Sequence, residues 1–227
     1  ALGALERAVE TARAGEGRID LAIAEDALQR KAIAYDRQGD KHYDYISAFI
    51  KAMRGSDPDA SVYYLAVMLE GGEDPRFIAR RMVIFASEDV GNADPQALAV
   101  ATAAGAAVDR VGLPECALNL SQAAAYLALA PKSNAATMAI SAASRHVREN
   151  GAKLPPDQLR DAHYRGAKQL GRGQGYEYPH SDPDGISRES LLPADVRGAR
   201  FYEPTERGFE ETLRKRLEKL RKLRGDA

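Results

Sequence analysis

Chemistry in this chain would have to come from a phosphate cradle, a metal cluster or an activated nucleophile, and the sequence holds fragments that resemble each. Gly171-Arg172-Gly173-Gln174-Gly175 has glycines at phosphate-loop spacing. A dinucleotide fingerprint needs a strand before such glycines and a helix opening directly after them. Here a helical pattern precedes the run and none opens behind it, which rejects the fingerprint. The sequence has no Gly-x-x-x-x-Gly-Lys-[Ser/Thr] run, so the lysine and amide cradle of a P-loop is missing. His42, His146, His163 and His180 stand apart from one another and from Cys116, outside any zinc spacing. His146 lies between Arg145 and Arg148, a composition that suits the end of a helix. Asp182-Pro183-Asp184-Gly185 starts like a calcium loop but lacks the later bidentate glutamate, so it reads as a turn. Glu88-Asp89 has no nucleophile or oxyanion donor near it in sequence and reads as a solvated helix end. No catalytic, cofactor-binding or metal-ligating residue is assigned.

Charge narrows the classes further. The 227 residues carry 32 Lys plus Arg against 33 Asp plus Glu, a formal net charge of −1. A whole-chain polyelectrolyte binder is therefore disfavoured, and any nucleic-acid contact must come from local patches. The candidates are Arg80 and Arg81, Arg145 and Arg148, and the tail cations Lys215, Arg216, Lys219 and Lys222. Phosphate neutralisation needs only a few clustered cations. One cysteine excludes an internal disulfide and any multi-cysteine metal site. The longest weakly polar run, 97–108, is too short to span a bilayer, and Glu6 and Glu10 interrupt the first residues where a signal peptide would be apolar. A cytoplasmic protein with no membrane contact is expected.

The elements that must position these residues are helical. Alanine occurs 41 times, tryptophan never, and β-branched runs are absent. Asp57-Pro58, Asp74-Pro75 and Asp94-Pro95 each place a capping carboxylate before a proline suited to the first helical position. The spacing predicts a helix after Pro58 with Val62, Leu65, Ala66 and Leu69 on its stripe, stopped at Gly71-Gly72. The helix after Pro75 should bury Phe77, Ile78, Met82 and Phe85 and run to Gly91; the one after Pro95 should reach about Val108. Tyr43, Ile46, Phe49, Ile50 and Met53 form another stripe. Pro114 opens a helix that halts at Pro131, Ser133 or Asn134 caps the next as far as Gly151, and Pro155-Pro156 starts one ending near Gly171. Leu2, Leu5 and Val9 form an early ridge, and Asp20 caps a helix with Ile23, Ala27 and Leu28. Glycine, proline and tyrosine dominate from Gly171 to Gly208, which reads as an extended arm held by its tyrosines and Phe201. A last helix from about Thr205 should bury Phe209, Leu213, Leu217 and Leu220.

Several runs carry a resemblance. They are Tyr35-Asp36 with Gly39-Asp40-x-His42-Tyr43-Asp44, Ile46-Ser47-Ala48-Phe49-Ile50-Lys51, and Arg54-Gly55-Ser56-Asp57-Pro58-Asp59-Ala60. Gly72-Glu73-Asp74-Pro75-Arg76-Phe77-Ile78-Ala79-Arg80-Arg81 leads to Ile84-Phe85-Ala86-Ser87-Glu88-Asp89-Val90-Gly91. Ala130-Pro131-Lys132-Ser133-Asn134-Ala135, Tyr176-x-Tyr178-Pro179-His180, Leu192-Pro193 and Phe201-Tyr202-Glu203-Pro204-Thr205-Glu206-Arg207-Gly208 follow. Together they resemble the C-terminal half of the replication-associated recombination protein A family (RarA, also called MgsA), which includes the Werner helicase-interacting protein. The resemblance implies an all-α fold of the clamp-loader C-terminal type. It divides the chain into a remnant of AAA+ lid helices at 1–33, a helical oligomerisation domain at 34–170, and the arm and C-terminal helix at 171–227. It places the Walker and arginine-finger segments and the sensor arginine outside this chain. ATP and magnesium would then serve the full-length family protein, with no cofactor and no enzymatic activity in this fragment. The implied partners are further copies in a homotetramer, DNA at replication forks, single-strand-binding protein and the clamp-loading machinery, in a nucleoid-associated setting. The alternative expectation is a nucleic-acid-binding helical module working through the basic patches named above.

Overall fold

Helix-capping chemistry sets the first described turns. The computed structural model describes residues 9, 21, 40–161 and 172–225. The ridge and capped helix expected before residue 34, and most of the helix expected after Pro155-Pro156, lie outside these residues. Among the described residues there are seven α-helices and no strand: α1 (Asp40–Arg54), α2 (Pro58–Glu70), α3 (Pro75–Phe85), α4 (Gln96–Val111), α5 (Cys116–Leu129), α6 (Ala135–Asn150) and α7 (Glu210–Arg224). The Asp57 carboxylate accepts a bond from the Ala60 amide at 2.9 Å and opens α2; Asp74 accepts from the Arg76 amide at 2.9 Å and opens α3. Proline follows each aspartate at no cost, because first-turn amides have no intrahelical partner. α4 starts directly after Pro95.

The chain divides into two units, each discontinuous in sequence. The first takes residues up to Ala86 together with Gln96–Ala130; the second takes Ser87–Pro95 and everything from Pro131 onward.

In the first unit α5 is the hub, touching α1, α2, α3 and α4. Its alanines and leucines recur at both i+3 and i+4, so Cys116, Leu120, Ala123, Ala124, Leu127 and Ala128 are all buried. Phe49, Met53, Leu65, Met68, Met82 and Phe85 fill the space around it. Full burial of each such side chain stabilises by about 1.5–3 kcal/mol. α4 presents Ala97, Ala101, Ala104 and Val108, and a Cβ at Gly105 would sit 3.8 Å from Ala79 of α3. Small residues thus let these two axes approach closely. Three expected stripes are corrected: in α3 Phe77 is half-buried while Ile78, Met82 and Phe85 are buried. In α2 the buried residues are Ser61, Leu65 and Met68, with Ala66 exposed, and in α1 Tyr43 is exposed while Ile46, Phe49, Ile50 and Met53 are buried. Ser61 is buried because its hydroxyl donates to the Asp57 carbonyl at 2.6 Å.

The second unit holds the Ser87–Pro95 segment, α6, the arm and α7. The helix begun at Pro75 does not reach Gly91 as an α-helix. It ends at Phe85, widens to a π-helical turn at Ala86–Val90 and tightens to a 3-10 turn at Gly91–Ala93. Directly after Pro155-Pro156 the described residues form a 3-10 turn, Asp157–Leu159. The last helix begins at Glu210 rather than Thr205, and Phe209 is 47 % exposed. From 172 to 209 the chain is irregular apart from two 3-10 turns. Phe201 and Tyr202 hold the arm as expected, whereas Tyr176 and Tyr178 are exposed.

Candidate functional site

The sequence-predicted basic residues separate. Arg80 is exposed on α3, its guanidinium 5.3 Å from the Phe77 ring centroid, while Arg81 is half-buried with a buried Nε that has no partner. Both belong to the first unit and the other six to the second. Arg145 and Arg148 are exposed three residues apart on α6, as their spacing requires. On α7, Lys215 is tied to Glu211 at 2.6 Å, one helical turn back. Arg216, Lys219 and Lys222 recur every three residues, are exposed, and make no ion pair with any described residue.

The motifs with no chemistry in sequence turn out to be structural. Residues 172–175 form a turn in which the Gly173 amide donates to the Asp157 carbonyl at 2.8 Å. Asp182 accepts from the Asp184 amide at 2.8 Å and from Arg188 Nε at 2.8 Å, closing the turn expected there. The hydrogen bond from Arg188, aided by the Asp184 amide, holds the Asp182 carboxyl below the usual range. His146 meets the edge of the Phe201 ring at 5.7 Å. Among the described residues no three His, Cys, Asp or Glu side chains gather as metal ligands. None of the described helices is long and apolar enough to cross a membrane.

Two quoted motifs meet at one buried carboxylate, which the sequence reading missed. Glu210 opens α7 and is fully buried. Its Oε2 accepts from Ser133 Oγ at 2.6 Å, from the Thr205 amide at 2.8 Å and from Thr205 Oγ1 at 2.8 Å. Its Oε1 accepts from the Tyr202 hydroxyl at 3.0 Å, which in turn accepts from Asn92 Nδ2 at 3.1 Å. Burial alone would raise the Glu210 pKa, but the bonds from Ser133, Thr205 and Tyr202 outweigh it and hold the carboxyl below its ordinary value. Burial pushes the Tyr202 phenol up, so it stays protonated as a donor. Ser133 also accepts from the Ala135 amide at 3.2 Å, and is thus the first-turn cap of α6 that the sequence left open between Ser133 and Asn134.

Backbone closes the same clasp. The Phe209 amide donates to the Ala93 carbonyl at 2.8 Å, and Arg207 Nη1 donates to the Lys132 carbonyl at 3.2 Å. Gly208 has φ +53°, and a Cβ there would collide with the Ala93 carbonyl oxygen and the Pro131 ring. Gly91, also at φ +53°, leaves room for the Ser133 carbonyl, which a Cβ would approach to 2.8 Å. Only glycine meets both demands at low cost. The signal was present in the sequence as recognisable runs, but Glu210 itself lies just beyond one of them and looks like a surface acid.

The family model described as "MgsA AAA+ ATPase C terminal" matches residues 55–221, the whole span of the clasp included. The chain belongs to this family. The "AAA C-terminal domain" model matches residues 1–54. An uncharacterized AAA domain-containing protein of Mycobacterium tuberculosis is 49% identical over 98% of this chain and 49% of its own length. Replication-associated recombination protein A of Bacillus subtilis is 42% identical over 98% of this chain and 53% of its own, and that of Escherichia coli K12 is 42% identical over 86% and 44%. The chain thus spans about half the length of these relatives. The clasp lies wholly within the second unit of this C-terminal region.

Proposed function

We propose that this region assembles copies of an AAA+ ATPase that acts in replication-fork maintenance, repair and recombination, through a homotetramer. The observation that carries the reading is an uncovered apolar stripe. On α6, Ala136, Ile140, Ala143 and Val147 recur at i, i+4, i+7 and i+11; Ile140 and Val147 are exposed, the two alanines are half-buried, and Ala135 is the helix's one buried residue. Ile140 is 65 % exposed. On α5, Leu118 and Leu129, eleven residues apart on one face, are exposed as well. Apolar helix faces of this kind suit burial against another copy, and two distinct faces suit the two interfaces of a dihedral tetramer. A net charge of −1 lets identical subunits approach without strong repulsion. Names of relatives supply the replication and recombination setting. ATP and magnesium would act in the rest of such a protein, and this region alone neither binds nor hydrolyses ATP. The setting is cytoplasmic, at the nucleoid. Size-exclusion chromatography coupled to light scattering tests the assembly directly.

A second reading, direct nucleic-acid contact, is favoured by the unpaired Arg216, Lys219 and Lys222 row on α7. Such binding should be weak and sequence-independent. Each phosphate contact contributes about −0.9 to the slope of log affinity against log salt on duplex DNA. In an anisotropy titration across a salt series, Lys219→Glu should lower that slope by about one contact. An unchanged slope would remove this face from any DNA site.

A further inference from the structure

One groove of the first unit carries a charge that folding does not explain. It encloses about 560 Å³ between α1 and α3. Tyr43, Ile46, Ser47, Ile50, Lys51 and Arg54 recur at i, i+3, i+4, i+7, i+8 and i+11 and present one face of α1 to it. At 1.5 Å per residue that face is about 16 Å long. Phe77 and Arg81, one turn apart on α3, line the other side. The Arg81 Nε is buried and has no hydrogen-bond partner. A buried donor without an acceptor is costly, and native chains keep few of them. Lys51 is exposed and makes no hydrogen bond or ion pair with any described residue. Lys51, Arg54 and Arg81 stand against Asp44 in the lining, three cations to one acid, a formal balance of +2. α5 and α6, whose exposed faces serve assembly, contribute no residue to it, and neither does the clasp.

We infer that this groove binds a phosphate monoester carried on an aromatic body, the class to which a nucleoside monophosphate belongs. The Arg81 guanidinium has the planar fork that matches phosphate oxygens, and a bound phosphate gives its Nε the acceptor it lacks. A phosphate monoester carries about −1.5 to −2 at pH 7, which the lining balances. The further charge of a triphosphate goes uncompensated. Ile46 and Ile50 are buried and form an apolar floor, while Tyr43, 69 % exposed, and Phe77 offer ring surface to a flat ligand. Ser47 and Asp44 supply polar contacts for ring nitrogens or sugar hydroxyls. The volume suits one such molecule. A nucleic-acid strand would ask for cations all along its track, whereas the middle of the α1 face is Ile46, Ser47 and Ile50.

The test is calorimetric titration of the full chain with adenosine 5′-monophosphate. Saturable binding with a dissociation constant on the order of 100 µM is expected. Adenosine and inorganic phosphate, which each supply one half of the contacts, should bind about tenfold more weakly or worse. Arg81→Met should weaken the monophosphate about tenfold while leaving the unfolding midpoint of the unliganded chain at or above that of the parent, because it removes a buried donor that has no acceptor. Lys51→Glu changes an exposed residue, should weaken binding about tenfold as well, and carries the test if Arg81→Met fails to fold. Lys153→Gln in the second unit should leave binding unchanged. Absence of saturable heat at millimolar monophosphate, or parental affinity in a folded Arg81→Met or in Lys51→Glu, would overturn the inference. Inorganic phosphate bound as tightly as the monophosphate would remove the aromatic body from the ligand, and ATP bound more tightly would contradict the charge balance. Displacement of the monophosphate by micromolar oligo(dT) would also overturn it, and the groove would then serve a nucleic-acid strand.

Discussion

Three donors converge on a single oxygen of Glu210, so the clasp depends on an acceptor at that point more than on side-chain volume. Glu210→Ala strands the Ser133, Thr205 and Tyr202 donors in a buried space. Each stranded donor costs about 1–3 kcal/mol, and partial hydration leaves an expected net loss of about 3 kcal/mol. Glu210→Gln keeps an acceptor for Ser133 and Thr205 but sets its amide against Tyr202, whose O–H loses its acceptor, so the expected loss is about 1–2 kcal/mol. Urea unfolding measures both. The pH dependence follows from sign. The folded Glu210 pKa lies below its ordinary value, so its stabilisation is complete above about pH 4.3 and fades as pH falls through the folded value. Glu210→Gln should remove that part of the acid sensitivity, and an unaltered pH profile would contradict the clasp. Gly208→Ala forces a Cβ into the Ala93 carbonyl at a positive φ, with an expected cost of about 2–4 kcal/mol on thermal unfolding. These residue roles were only half legible. The runs ending in Gly91 and Gly208 stood out, but which atoms they serve depends on pairing Ser133 with Glu210 across 77 residues of sequence.

Elements were legible where their causes are local. Asp57 and Asp74 cap the helices they precede, because an aspartate and the amides two or three residues on are neighbours in any chain. The buried positions of α1 followed from the 3.6-residue period. Ends set by tertiary contacts were not legible. α3 loosens into a π-helical turn before a segment whose Ala93 carbonyl is bonded by Phe209, and α7 starts at Glu210 because the clasp ties residues 201–209 into irregular chain and a turn. Tyr176 and Tyr178 misled for the same reason: aromatic content marks an arm but not which rings it buries. The cap and the glycine stop found α6, yet they could not show that Ile140 and Val147 on it are exposed. Ile140→Asp should therefore dissociate the assembly while leaving the helical circular dichroism and the unfolding midpoint of the monomer nearly unchanged. A loss of fold instead would mean that Ile140 is needed inside the chain.

At the scale of the molecule, both units are built from non-contiguous segments, with Ser87–Pro95 belonging to the second unit though flanked by helices of the first. Linear composition carries no mark of such an exchange, whereas helix class and family were plain from alanine content and from long motif runs. The two exposed stripes, on α5 and α6, give the assembly reading its physical content. Light scattering coupled to size-exclusion chromatography at tens of micromolar tests it most directly. A mass four times that of the chain, falling in the Ile140→Asp variant, is expected; a single-chain mass for the parent at that concentration would contradict it.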